Sequence, residues 1–165
     1  MNKIIYIIPA LGESCDELHY SVLISALEKK GYTVKQVNPN WYRPLSEQVF
    51  KIEEDASIFG FSFGAVIAYL IAIEYPCKKV IFGSLSPIHT FTYESLVEDY
   101  MEHMSQSLAE EISADIKKIK IDLSKLKAPY VTLAGDKEEM SADIIVPQTG
   151  HEITEQYVER ICSVL

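Results

Sequence analysis

Basic clusters, metal-spaced cysteines and long apolar runs are all missing from this chain, and each absence closes off a class of function. Fifteen Lys and Arg stand against 24 Asp and Glu, a net charge of −9, with no run of basic residues. A chain without a cationic footprint is not built to neutralise phosphates, so nucleic acid is excluded as a partner. Cys15, Cys77 and Cys162 are odd in number and lack ligand spacing, so neither a disulfide framework nor a metal site is expected. A reduced, cytoplasmic compartment is the default for such cysteine usage. No apolar run approaches the roughly 20 residues that span a bilayer, so no membrane span is expected. The apolar stretch Ile4–Ile8 after Met1-Asn2-Lys3 is too short for a targeting signal and reads as the first core strand.

What is present is globular: 48% apolar and 24% charged residues in a 165-residue chain, enough to bury one core. Residues 1–165 therefore read as a single domain. Lys3 to Ile8 is a continuous β-branched and aromatic run, as in a strand buried on both faces. Ser14-Cys15-Asp16-Glu17 reads as a capping box before a helix carrying Leu18, Val22, Leu23, Ala26 and Leu27, closed by Gly31. Further strands are expected at Tyr32 to Val37, Ser57 to Phe61, Lys79 to Gly83, Tyr130 to Ala134 and Ile144 to Val146. Between them come a short helix from Pro44 to about Glu54 and a helix after Ser62 that is apolar almost all round and ended by Pro76. A last helix, Glu152 to Val164, carries Ile153, Tyr157, Val158 and Ile161 on one stripe. Strands alternating with helices predict an α/β fold: a doubly wound, mainly parallel six-stranded sheet with helices on both faces. Residues 90–128 form an oversized crossover with two helical stripes, one from Leu96 to Leu108 and one from Ile112 to Ile119. It is either an ordinary crossover with a second helix appended or a lid or cap over a pocket.

With only seven glycines in the chain, two of them flank one serine: Gly60-Phe61-Ser62-Phe63-Gly64, at the join between a strand and a helix. This is the G-x-S-x-G pattern. The serine occupies a tight, strained turn, and glycines on either side leave room for it. The following helix directs its N–H groups and positive dipole end at the same spot. A serine hydroxyl is a weak nucleophile until a base takes its proton and a carboxylate orients that base. His151, in the loop between the last strand and the last helix, is the expected base. His19 and His103 fall inside helices, and His89 follows strand four at the same sheet edge as a possible pocket-wall residue.

Taken together, three segments in order resemble the α/β-hydrolases over almost the whole chain: Ile8-Pro9-Ala10-Leu11-Gly12 at the place of the oxyanion loop, the elbow at Ser62, and Pro129 to Glu138 followed by Gly150-His151. Pro9-Ala10 stands where the family commonly has His-Gly. The resemblance implies an oxyanion hole made by the backbone N–H groups of Leu11 and Phe63. It implies a triad of Ser62, His151 and an acid. The family spacing G-x-x-D brings Glu138 into register, while Asp136, one residue after Gly135, is the alternative. With the chain still extended there, the two side chains would lie roughly 6–7 Å apart, so only one could serve His151. The function implied is a serine hydrolase of the esterase or thioesterase type acting on a small-molecule ester, thioester or amide, without cofactor or metal. An acyl transferase using the same triad and a non-catalytic binding module on the same fold are the alternatives.

Overall fold

The computed structural model describes residues 3–85, 93–102 and 104–165. Six strands, β1 (Lys3–Ile8), β2 (Tyr32–Gln36), β3 (Ser57–Phe61), β4 (Lys79–Gly83), β5 (Tyr130–Gly135) and β6 (Ile144–Val146), form one sheet in the order β2-β1-β3-β4-β5-β6. Every neighbouring pair is parallel, with Ile7 opposite Phe59 and Phe59 opposite Ile81 in the centre. Five α-helices are described: α1 (Leu18–Lys29), α2 (Phe63–Glu74), α3 (Tyr93–Met101), α4 (Gln106–Lys118) and α5 (Glu155–Val164). None is long and apolar enough to cross a membrane.

Because side chains alternate along a strand, the continuous apolar strands feed two cores. Tyr6, Ile8, Ile58, Val80 and Phe82 face a core shared with α2, α3 and α4. Ile5, Ile7, Phe59, Phe61, Ile81 and Leu133 face the other, closed by α1 and α5. In α2 the burial is nearly all round, with Val66, Ile67 and Ile71 each fully buried. Each such side chain contributes roughly 1.5–3 kcal/mol relative to exposure. Tyr75, the residue before Pro76, is extended and ends α2. The strand order reverses between β1 and β3, so their carboxyl ends open a crevice where ligands of such sheets bind.

Several elements differ from the sequence reading. Helix α1 begins at Leu18, with extended Glu17 as its N-cap, so the Ser14–Glu17 segment is a turn ahead of the helix. Half of the expected box survives, Ser14 N–H donating to Glu17 Oε1 at 3.3 Å. The buried stripe of α1 is Tyr20, Leu23, Ile24 and Leu27, while Leu18 is 81% exposed and Val22 42%. The i, i+3, i+4, i+7 set starting from Tyr20 wins because a buried tyrosine ring covers more apolar surface than Leu18. Of the helix expected between Pro44 and Glu54, only a 3-10 turn at Leu45–Gln48 forms. Val49 is extended, and the chain beyond it runs along the core, which buries Ile52. Helix α5 starts at Glu155, where the Thr154 hydroxyl caps the Tyr157 N–H. In the long crossover, Leu96, Tyr100, Ala109, Ile112 and Ile116 are buried in the α2-side core, whereas Met101 is 45% exposed.

Candidate active site

Ser62 sits between the end of β3 and the start of α2 with φ 56° and ψ −120°, a conformation that strains any residue with a Cβ. The turn is held from the next strand, Ser62 N–H donating to Gly83 O at 2.8 Å. The glycines have a steric cause. A Cβ on Gly60 would lie 2.3 Å from Gly64 O, and one on Gly64 would lie 2.2 Å from Pro9 O and 2.3 Å from Ile8 O. The elbow therefore touches the end of β1 directly, and only a residue without a side chain fits between them.

Two long-range contacts complete a chain of hydrogen bonds. His151 Nε2 lies 2.9 Å from Ser62 Oγ, and His151 Nδ1 lies 2.7 Å from Glu138 Oε1. The Glu138 side chain is 5% exposed against 46% for His151, so the carboxylate is sheltered while the imidazole is open to solvent. Burial alone pushes the Glu138 carboxyl up. The His151 hydrogen bond, with those from the Gly135 N–H and the Ser84 hydroxyl, outweighs it and holds the group below the usual carboxylate range. Glu138 Oε2 accepts from the Gly135 N–H at 2.6 Å and from Ser84 Oγ at 2.7 Å. Ser84, fully buried with φ 50°, is anchored by its N–H to Leu133 O. Tyr157 OH donates to the same Leu133 O at 3.0 Å and lies 3.3 Å from Ser84 Oγ.

Ser84 and Tyr157 were absent from the residues singled out by sequence. A serine just past a strand at the sheet edge that carries the elbow is a weak signal, and Tyr157 read as core packing. Its hydroxyl was the clue, since a buried Tyr oxygen finds a partner.

Asp136 is turned away from His151. Its carboxylate accepts from the N–H groups of Gln148 (2.9 Å) and Thr149 (3.0 Å), while Lys137 N–H returns a bond to Thr149 O. The Gln148 N–H above all, offset in part by desolvation, lowers its carboxyl below the ordinary value, with Thr149 adding to the effect. The loop that presents His151 is thus clamped to the end of β5. Gly135 is part of the clamp, since a Cβ there would lie 2.2 Å from Thr149 O. The chain after β5 is not extended: Glu138 N–H bonds Gly135 O across a turn, which is what separates the two carboxylates.

At the end of β1, Glu13 N–H bonds Ala10 O, and the positive φ this turn requires falls on Gly12 (77°) rather than on Ala10. The Ala10 N–H donates to Tyr20 OH at 2.8 Å, and Tyr20 OH donates to Glu13 Oε2 at 2.8 Å, so one buried hydroxyl ties both ends of the loop. Trp41 Nε1 donates to Glu13 O at 2.9 Å. Leu11 is half-buried beside the elbow, and Phe63 is the first residue of α2. A cavity of about 580 Å³ opens beside Leu11, lined also by Glu13, Trp41, Tyr42, Asp99, Tyr100 and Glu102.

His19 lies in α1, 3.4 Å from Glu13, and His89 and His103 lie outside the described residues. Glu13, Glu17 and His19 bring ligand-capable atoms within 4.8 Å of one another. Glu13 and Glu17 already accept from Tyr20 and the Ser14 N–H, and no other such group occurs among the described residues.

The fold is that of the α/β-hydrolases, in a short six-stranded form. Est1E from Butyrivibrio proteoclasticus superposes with a TM-score of 0.68 at 13% identity, covering 99% of this chain and 85% of that one. The α/β-hydrolase MGS-MChE2, from the metagenome of lagoon sediments at Mar Chica, Morocco, gives 0.67 at 19% identity over 99% and 89%. A marine microorganism esterase gives 0.64 at 13% identity over 100% and 96%. No family model and no curated protein matches the sequence.

Proposed function

We propose that this chain is a serine hydrolase that cleaves an ester, thioester or amide through an acyl-enzyme. The observation that carries the reading is the continuous chain from Ser62 Oγ through both nitrogens of His151 to Glu138, with links of 2.9 and 2.7 Å. These are the distances a nucleophile, its base and the base's orienting acid require. Ser62 Oγ attacks the carbonyl carbon as His151 Nε2 takes its proton. The oxyanion is bound by the N–H groups of Leu11 and Phe63. The imidazolium, stabilised by Glu138, then protonates the leaving group. Water, activated by the same imidazole, releases the acyl group and restores Ser62. No step calls for a metal or cofactor. The protein acts as a single domain on a small-molecule acyl substrate, in the cytoplasm, with the 90–128 segment shaping its pocket.

The test is covalent. A fluorophosphonate probe should add one adduct per chain by intact mass, and peptide mapping should locate it on Ser62. An unlabelled folded protein, or an adduct on another residue, defeats the proposal.

Tyr20 gives a second check. Tyr20→Phe leaves the Ala10 N–H buried without a partner, at a cost of about 1–3 kcal/mol, and frees the loop that carries the Leu11 N–H. We expect kcat to fall by about tenfold or more while KM changes little, because an oxyanion donor acts mainly in the transition state. Steady-state kinetics read alongside the thermal midpoint separate this from simple loss of folded protein. An unchanged kcat would show that the loop holds its shape without Tyr20.

A further inference from the structure

We propose that Ser84 is a positioning residue of the triad, and that the end of β4 is one brace holding both Ser62 and Glu138 in place around His151. This rests on the serine hydrolase reading and adds to it a residue that acts through Glu138. Adjacent residues do the holding. Gly83 O accepts the Ser62 N–H at 2.8 Å, and Ser84 Oγ donates to Glu138 Oε2 at 2.7 Å. The nucleophile follows β3 and the acid follows β5, yet both are tied to the end of the strand between them.

That strand end is itself secured. The Ser84 N–H donates to Leu133 O at 2.7 Å. Tyr157 OH donates to the same oxygen at 3.0 Å and lies 3.3 Å from Ser84 Oγ. A Cβ on Gly83 would lie 2.8 Å from the Phe61 ring and 3.1 Å from Tyr157 OH, so the packing there is close. The Phe61 ring in turn has its centroid 5.1 Å from that of His151 and 5.6 Å from that of Tyr157.

The backbone of Ser84 singles out its hydroxyl. At φ 50° the residue is left-handed, where glycine is the least strained choice, and its side chain is fully buried. All that serine adds to glycine there is a Cβ, which raises the strain, and a hydroxyl, which goes to Glu138. A glutamate has several side-chain torsions, so Oε1 stays aimed at His151 Nδ1 only while Oε2 is held. The Gly135 N–H supplies one bond to Oε2, at 2.6 Å, and Ser84 supplies the other. Without Ser84 the carboxylate is free to turn about the remaining bond, and the imidazole loses its fixed acceptor.

The test uses Ser84→Gly, which removes the hydroxyl at a backbone angle that glycine favours. With 4-nitrophenyl acetate, kcat should fall about tenfold while KM stays within about twofold. In the Glu138→Gln protein the same substitution should cost less than about twofold, because Ser84 acts only through that carboxylate. Ser84→Ala, which keeps the Cβ, should match Ser84→Gly in kcat although their unfolding midpoints differ. A kcat near that of the parent overturns the inference. So does an equal loss with Glu138 already replaced, or activities that follow the midpoints. A readout without turnover separates this from failure of the hydrolase reading. At about pH 9, where histidine is ordinarily neutral, long-range proton–nitrogen correlation spectra report the tautomer of His151. The parent should carry the proton on Nδ1, facing Glu138, and Ser84→Gly should show a share of the Nε2–H form. That change supports the role of Ser84 even in a protein whose Ser62 takes no fluorophosphonate. An unchanged tautomer overturns it even where Ser62 is labelled.

Discussion

Ser62→Ala should abolish fluorophosphonate labelling and lower turnover of an activated ester by at least about a thousandfold, with the fold retained. The residual rate would come from binding and the oxyanion donors alone. Alanine keeps the Cβ and inherits the strained backbone at φ 56° and ψ −120°, so its unfolding midpoint should stay near that of the parent. Ser62→Gly should be equally inactive yet more stable. Removing the Cβ relieves strain worth about 1–3 kcal/mol, against about 0.5–1 kcal/mol of added chain entropy. Denaturant unfolding of both variants beside the activity assay checks the pair. Retained labelling in folded Ser62→Ala protein would remove Ser62 from the chemistry, and a less stable Ser62→Gly would show that the turn is not under strain.

The second large effect separates the two carboxylates after β5. Glu138→Gln should reduce turnover by roughly four orders of magnitude, because an amide neither orients the imidazole in the required tautomer nor stabilises its protonated form. Asp136→Asn should leave most turnover but lower the unfolding midpoint, because it weakens the bonds to Gln148 and Thr149 that clamp the His151 loop. The sign of the pH effect follows from the direction of the shifts. Both carboxyls are held below their unfolded values, so their contribution to stability is present above the ordinary carboxylate range. It is lost as pH falls through the depressed folded values. An acid unfolding curve should therefore lose part of its steepness in either variant. Near-normal turnover in Glu138→Gln with collapse in Asp136→Asn would reverse the two roles.

Much of this architecture follows from local chemistry that a sequence displays. Strand β3, the two glycines around Ser62 and the apolar α2 lie within one short stretch, and the collisions at Gly60 and Gly64 show why no other residue serves there. The six parallel strands follow from the alternation of β-branched runs with helical stripes. Chain order singled out His151, and the family spacing brought Glu138 into register ahead of Asp136.

Tertiary structure decided what depends on side chains meeting across the chain. Position 138 reaches His151 because a turn closed by Glu138 N–H and Gly135 O swings it there, whereas an extended chain was the expectation. Ser84 holds that carboxylate from 54 residues away and itself meets Tyr157, 73 residues further along the chain, so neither role has a local pattern. Tyr20 was hidden in a helix whose stripe the sequence reading set on Leu18, Val22, Leu23, Ala26 and Leu27. Of these, Leu23 and Leu27 are buried and Leu18 and Val22 exposed. The Tyr20 hydroxyl matters only once β1 and α1 are packed. Backbone conformation is dictated by neighbours in sequence, through sterics and turn chemistry, and so could be read in advance. Which oxygen accepts which proton depends on distances of about 3 Å between residues far apart in the chain, and only folding sets those.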